Sequence, residues 1–75
     1  MNSIEEIFGS LVYIQRKQLG ITQCELARSV GCSKANICKI EDGRLRVRAD
    51  IAFRLAKALR IKPKELSDLF TGGVL

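Results

Sequence analysis

The chain has 75 residues, 47% of them hydrophobic, and 13 Lys and Arg against 8 Asp and Glu give it a net charge of +5. Residues 1–75 are therefore read as a single domain: about a third of the chain is Leu, Ile, Val or Phe, which excludes disorder, and the length leaves no room for a second core. A basic balance of this size points to polyanionic partners, because neutralising phosphates releases their counterions.

The charge is not spread evenly. Between Arg16 and Arg48 stand eight basic residues and three acidic ones, Glu25, Glu41 and Asp42, so this segment alone carries the whole +5. The three cysteines, Cys24, Cys32 and Cys38, are odd in number, and there is no His. That argues against a disulfide framework and against a four-ligand zinc site, so neither metal nor cofactor is expected. No catalytic constellation appears either: Tyr13 and the scattered carboxylates lack a nucleophile–base partnership, so an enzyme is not expected. Glu5 and Glu6 stand where an export signal would carry Lys or Arg. The longest uncharged stretch, Ile7 to Gln15, falls short of the ~18 residues a membrane span needs. A reducing cytoplasm, with no membrane partner, is the expected setting.

The pattern is helical throughout. Ser3 and Glu6 form a capping box for a first helix, and Ile4, Ile7, Phe8, Leu11 and Ile14 recur at three- and four-residue spacing as its inward stripe. Gly9 weakens this helix locally, and Gly20 should end it. Thr22 and Glu25 form a second capping box. The helix behind it turns Leu26, Ala27 and Val30 inward and stops at Gly31. Ser33 caps a third helix, with Ile37 and Ile40 inward, that ends near Asp42 and Gly43. Gly43 to Arg48 is a loop of alternating basic and apolar residues. A fourth helix runs from about Arg48 to Arg60, with Ile51, Ala52, Leu55, Ala56 and Leu59 on one face. Pro63 suits the first position of a fifth helix that buries Leu66, Leu69 or Phe70. Thr71, Gly72 and Gly73 begin a tail ending in Val74 and Leu75. The expected fold is all-α, a compact bundle of five helices.

Residues 22–42 hold the strongest signal. A DNA-reading helix-turn-helix needs a small residue where its two helices cross, and Ala27 is one. It needs a residue tolerant of positive φ in the turn, and Gly31 is one. It needs apolar pins into the core, and Leu26, Val30, Ile37 and Ile40 supply them. The second helix of such a pair is free to enter the major groove.

The run Thr22-Gln23-x-Glu25-Leu26-Ala27-x-x-Val30-Gly31-x-Ser33, followed by Ile37-x-x-Ile40-Glu41-Asp42-Gly43, resembles the helix-turn-helix of the phage lambda and 434 repressor and Cro-like family. The likeness continues through Leu55-Ala56-Lys57-Ala58-Leu59 and covers most of the chain. It implies a transcriptional regulator, a repressor by expectation, that binds a palindromic double-stranded operator as a homodimer in the nucleoid. Carried over residue by residue, it makes Lys34, Ala35, Asn36 and Lys39 the base contacts. Asn36 suits adenine N6/N7, Lys34 suits guanine O6/N7, and Ala35 suits a thymine methyl. Thr22, Gln23, Ser33, Arg44 and Arg46 become phosphate contacts. Arg16 and Glu41 match a structural ion pair. Apart from the likeness, a monomer this small can hardly bury all of Leu66, Leu69, Phe70, Val74 and Leu75, so the fifth helix and tail (62–75) are the expected dimer face.

The chain departs from the family pattern at three places. Asp42 stands where Asn is frequent, and a carboxylate cannot donate to a phosphate. Val47 stands where Pro is common, and Arg48 where a small polar cap is usual.

Plainer readings stand beside these. Lys34, Lys39, Arg44 and Arg46 can be solvated charge, and Asn36 can satisfy its own helix backbone. Cys32 reads as a packing residue. Cys38 lies near the DNA face, where oxidation would weaken binding. A rival function is a protein-interaction module, an antitoxin or bridging factor, with DNA secondary and with RNA polymerase or another protein as partner. Non-specific nucleic-acid binding is a third.

Overall fold

The computed structural model describes residues 3–62 and residue 64. Within them lie four helices: α1 (Ile4–Leu19), α2 (Gln23–Val30), α3 (Lys34–Glu41) and α4 (Ala49–Leu59). No strand occurs among the described residues. The fifth helix expected after Pro63, and with it Leu66, Leu69, Phe70, Val74 and Leu75, lies outside the described residues. No helix among them is long and apolar enough to cross a membrane.

The helix ends form where local chemistry dictates. The Ser3 hydroxyl accepts from the Glu6 amide at 3.1 Å while the Glu6 carboxylate accepts from the Ser3 amide at 2.8 Å. Thr22 and Glu25 repeat that exchange at the start of α2, at 3.0 and 2.8 Å. Two otherwise unsatisfied amides are thus occupied at each helix start. Gly20 and Gly31 close α1 and α2 in the left-handed region. At Gly31 φ is 77°, so the turn between α2 and α3 takes a backbone shape that a side chain would strain. Arg48 begins α4 with no side-chain cap, and its own backbone carbonyl accepts the first bond from Ala52.

The core gathers one stripe from each helix. Phe8, Leu26, Ile37, Leu55 and Leu59 are the largest side chains fully buried, with Val12 and Val30 beside them. Each contributes about 1.5–3 kcal/mol by leaving water. Ala27 and Ile40 complete the α2–α3 contact, and Ala52, Ala56 and Ile61 close the core from the α4 side.

The inward stripe of α1 differs from the sequence expectation. Ile7 and Ile14 are 45% and 51% exposed, and Ile4 is exposed as well. Leu11 is half-buried at the edge of the core. Phe8 is buried as expected, but the rest of the buried face runs through Gly9, Val12 and Arg16. The physical reason is the close approach of α1 to the end of α3. A Cβ on Gly9 would run into the Ile40 carbonyl oxygen and lie 3.0 Å from that of Glu41. Gly9 is the contact point of two backbones, not merely a weak spot in a helix. That contact rotates the hydrophobic surface of α1 away from its richest apolar stripe.

This packing yields a prediction with an unusual sign. In an open helix, Gly→Ala stabilises by about 1 kcal/mol. Gly9→Ala should instead destabilise by about 1–3 kcal/mol, because the new methyl meets backbone that cannot rotate aside. The urea midpoint of unfolding reads this directly, and a rise in midpoint would refute the packing.

Candidate nucleic-acid interface

The interface begins with a buried polar knot behind α3. The Arg16 Nε donates to Glu41 Oε2 at 2.5 Å, and Nη2 donates to Oε1 at 3.1 Å. The two side chains are only 9% and 5% exposed. Arg16 Nη1 also donates to the Ile21 carbonyl at 3.0 Å, and Gln23 Nε2 donates to Glu41 Oε1 at 3.0 Å. Each charge is thus paired and hydrogen-bonded, which a buried ion pair requires. The Glu41 carboxylate holds the Arg16 guanidinium more firmly protonated than usual. One knot therefore fixes the last turn of α1, the α1–α2 link, the start of α2 and the end of α3.

With α3 fixed at its end and pinned by Ile37 and Ile40, its other face is turned to solvent. Lys34, Ala35, Asn36 and Lys39 are all exposed. They do not converge on one point. Ala35 and Lys39, four residues apart, form the middle of the outward face. Lys34 and Asn36 project about 160° apart around the axis, one to each flank. Lys34 faces a groove beside the start of α2, and Asn36 faces the loop that carries Arg46 and Val47. The Ser33 hydroxyl caps α3 by accepting from the Asn36 amide at 3.1 Å. The Asn36 side-chain amide makes no hydrogen bond among the described residues, so its donors and acceptor are available to a base edge.

The phosphate-contact candidates fall on both sides of this face. Thr22 is exposed, and its hydroxyl keeps a proton to donate after accepting from Glu25. Gln23 gives one amide proton to Glu41 and keeps a second. The Thr22 amide lowers the Glu25 carboxyl below its ordinary value of 4.5, so this cap is charged at neutral pH. In the loop, Arg44 Nη2 lies 3.0 Å from Asp42 Oδ2, and Arg46 Nε lies 3.3 Å from Glu5 Oε2. Arg48 Nε lies 3.5 Å from Asp50 Oδ1. The Arg46 side chain is 90% exposed, and an exposed pair of this kind is weakly held. A phosphate can displace the carboxylates without breaking the fold. Asp42 is the acidic departure noted in the sequence, and here it engages the neighbouring arginine.

The cysteines are free thiols. Cys24 is exposed, Cys32 is half-buried against the core, and Cys38 Sγ sits 4.0 Å from Asp42 Oδ2. Burial pushes the Cys32 thiol up, away from the reactive thiolate. Among the described residues no group of three or more Cys, Asp or Glu side chains is placed to hold a metal ion.

A short helix crossing a capped helix, a positive-φ glycine between them and an exposed polar face on the second together define a helix-turn-helix. A helix-turn-helix family model of the Cro/C1 type matches residues 12–66. The chain belongs to this family of DNA-binding transcriptional regulators. A protein of Methanothermobacter thermautotrophicus, described as an uncharacterized HTH-type transcriptional regulator, is 42% identical over 50 residues. The match covers 67% of this chain and 72% of that relative. No solved structure matches the chain.

Sequence reasoning missed one member of this surface. Lys17 lines the same groove as Lys34. It sits one residue after Arg16, and the motif that drew attention to the HTH region begins only at Thr22.

The polar knot can be tested as a unit. Arg16→Met alone leaves Glu41 charged in a dry site and should cost about 3–5 kcal/mol. Removing both charges, as Arg16→Met with Glu41→Leu, should cost less than the sum of the single changes. Urea unfolding of all four proteins gives the coupling, and strictly additive losses would show the pair to be energetically idle.

Proposed function

We propose that this HTH regulator is a sequence-specific repressor that occupies a palindromic operator as a homodimer, in the nucleoid of the cytoplasm. Base reading falls to Lys34, Ala35, Asn36 and Lys39. Thr22, Gln23, Ser33, Arg44 and Arg46 grip the backbone. The observation that carries this reading is the outward face of α3, where the Asn36 side chain has no hydrogen bond and neither lysine has a carboxylate partner among the described residues.

Two physical points support the dimer. An eight-residue helix is only about 12 Å long and meets few base pairs, so two copies on a symmetric site multiply the discrimination. A small domain also gains stability by association. Repression by occupancy needs no more machinery than such a dimer.

A protein partner is favoured by one feature. Phe53 is 64% exposed on α4, the most exposed of the large apolar side chains described. An antitoxin, a bridging factor or a contact to RNA polymerase would use such a residue, with DNA binding in a supporting role.

Selection of duplexes from a random pool separates these readings. The wild type should enrich a sequence with dyad symmetry and bind it ~10³-fold or more above a scrambled duplex. The Lys34→Ala, Asn36→Ala double variant should keep its helical circular dichroism and lose at least about tenfold of that ratio. Equal affinity of the wild type for all duplexes, or an unchanged ratio in the variant, would contradict reading through α3.

A further inference from the structure

We propose that Lys17 carries the DNA interface off the recognition helix and onto α1, as a backbone-phosphate contact across a groove from Lys34. The inference rests on the DNA-binding reading above and adds a residue to its footprint. An open groove of about 610 Å³ lies between the last turn of α1, the start of α2 and the head of α3. Three cations border it, Arg16, Lys17 and Lys34, and no carboxylate does. Arg16 is committed to the buried Glu41 and contributes no net charge there. Lys17 and Lys34 are exposed, and neither has an ion-pair partner among the described residues. The groove is therefore bordered by two uncompensated positive charges, one on α1 and one on α3, and Thr22 and Gln23 line it as well.

Lys17 lies beside an aromatic ring. Its ammonium lies 6.0 Å from the centroid of the Tyr13 ring, one turn back along α1, and the Arg16 guanidinium lies 5.5 Å from the same ring. An aromatic face at this range holds a cation without neutralising it. The anion this arrangement fits is a singly charged phosphodiester, held by Lys17 beside the neutral donors of Thr22 and Gln23. Such a contact is blind to sequence. It sets where the duplex lies relative to α3 and leaves the discrimination to Lys34, Ala35, Asn36 and Lys39.

A lysine in the last turn of a helix also complements the helix dipole. The two roles have different signatures. A dipole role shifts stability and leaves DNA binding untouched. A phosphate role shows in the salt dependence of binding.

The test is the affinity of Lys17→Gln for the selected operator and for a scrambled duplex, across a salt series. Lys57→Gln serves as the control; it removes the same charge from a separate groove between α2 and α4. Lys17→Gln should weaken both duplexes about five- to tenfold near 0.1 M salt and make the log–log salt slope shallower by about 0.9. The operator-to-scrambled ratio should stay constant, Lys17→Arg should restore the slope, and Lys57→Gln should leave it unchanged. A Lys17→Gln slope equal to that of the wild type overturns the inference, whatever happens to stability. A wild type that binds no duplex overturns the DNA-binding reading itself, and the two failures are therefore distinct.

Discussion

The Arg16–Glu41 pair is the constraint on which the interface depends. Glu41 is the last residue of α3, and Arg16 lies in the last turn of α1. Their two hydrogen bonds hold the recognition helix at its far end while Ile37 and Ile40 hold it from beneath. The same guanidinium binds the Ile21 carbonyl, and the same carboxylate binds Gln23. The start of α2 is therefore referenced to the end of α3 through one buried knot. A helix this short has little stability of its own and takes its orientation from such attachments. Placing both charges where water is scarce makes the geometry expensive to leave, because each lone charge would be stranded.

That fixed scaffold divides the polar surface into two kinds of group. Inside it, every buried side-chain nitrogen and oxygen among the described residues has a partner. Outside it, the loop arginines hold carboxylate partners at the surface, and Lys17, Lys34 and Lys39 hold none among the described residues. On the reading proposed above, a phosphate backbone would exchange with the exposed pairs and meet these lysines directly. The balance suits reversible binding, in which affinity is tuned by salt and discrimination by a few outward residues.

Local chemistry made most of the fold legible. Both capping boxes, the Ser33 cap, the stops at Gly20 and Gly31, and the inward sets of α2, α3 and α4 follow from short-range rules, and the structure carries each of them. The face of α1 did not follow. Five apolar residues advertised a stripe through Ile4, Ile7 and Ile14, yet the helix buries a face with a glycine and an arginine in it. Gly9 must meet the backbone of α3, and Arg16 must reach Glu41. Both demands are tertiary and outweigh hydrophobic count, as the moderate gain from one more buried isoleucine cannot offset a backbone collision. The anomaly was visible in the sequence as a glycine in mid-helix, a feature that repays reading as a contact. On the candidate interface, the exposure of Lys34, Ala35, Asn36 and Lys39 on the outward face of α3 was legible from the motif. Their division into two flanks, and the groove that brings in Lys17, required the relative placement of three helices.

On the proposed reading, DNA lies against the outer face of α3 and the starts of α2 and α3. Backbone amide chemical shifts during titration with the selected duplex address it most directly. The largest changes should fall at Thr22 and Gln23, at Ser33 to Lys39 and at Arg44 to Arg46, with Arg54 and Lys57 on α4 nearly still. Changes centred on α4 around Phe53, with α3 unmoved, would contradict the account and place the working surface of this regulator on another side of the fold.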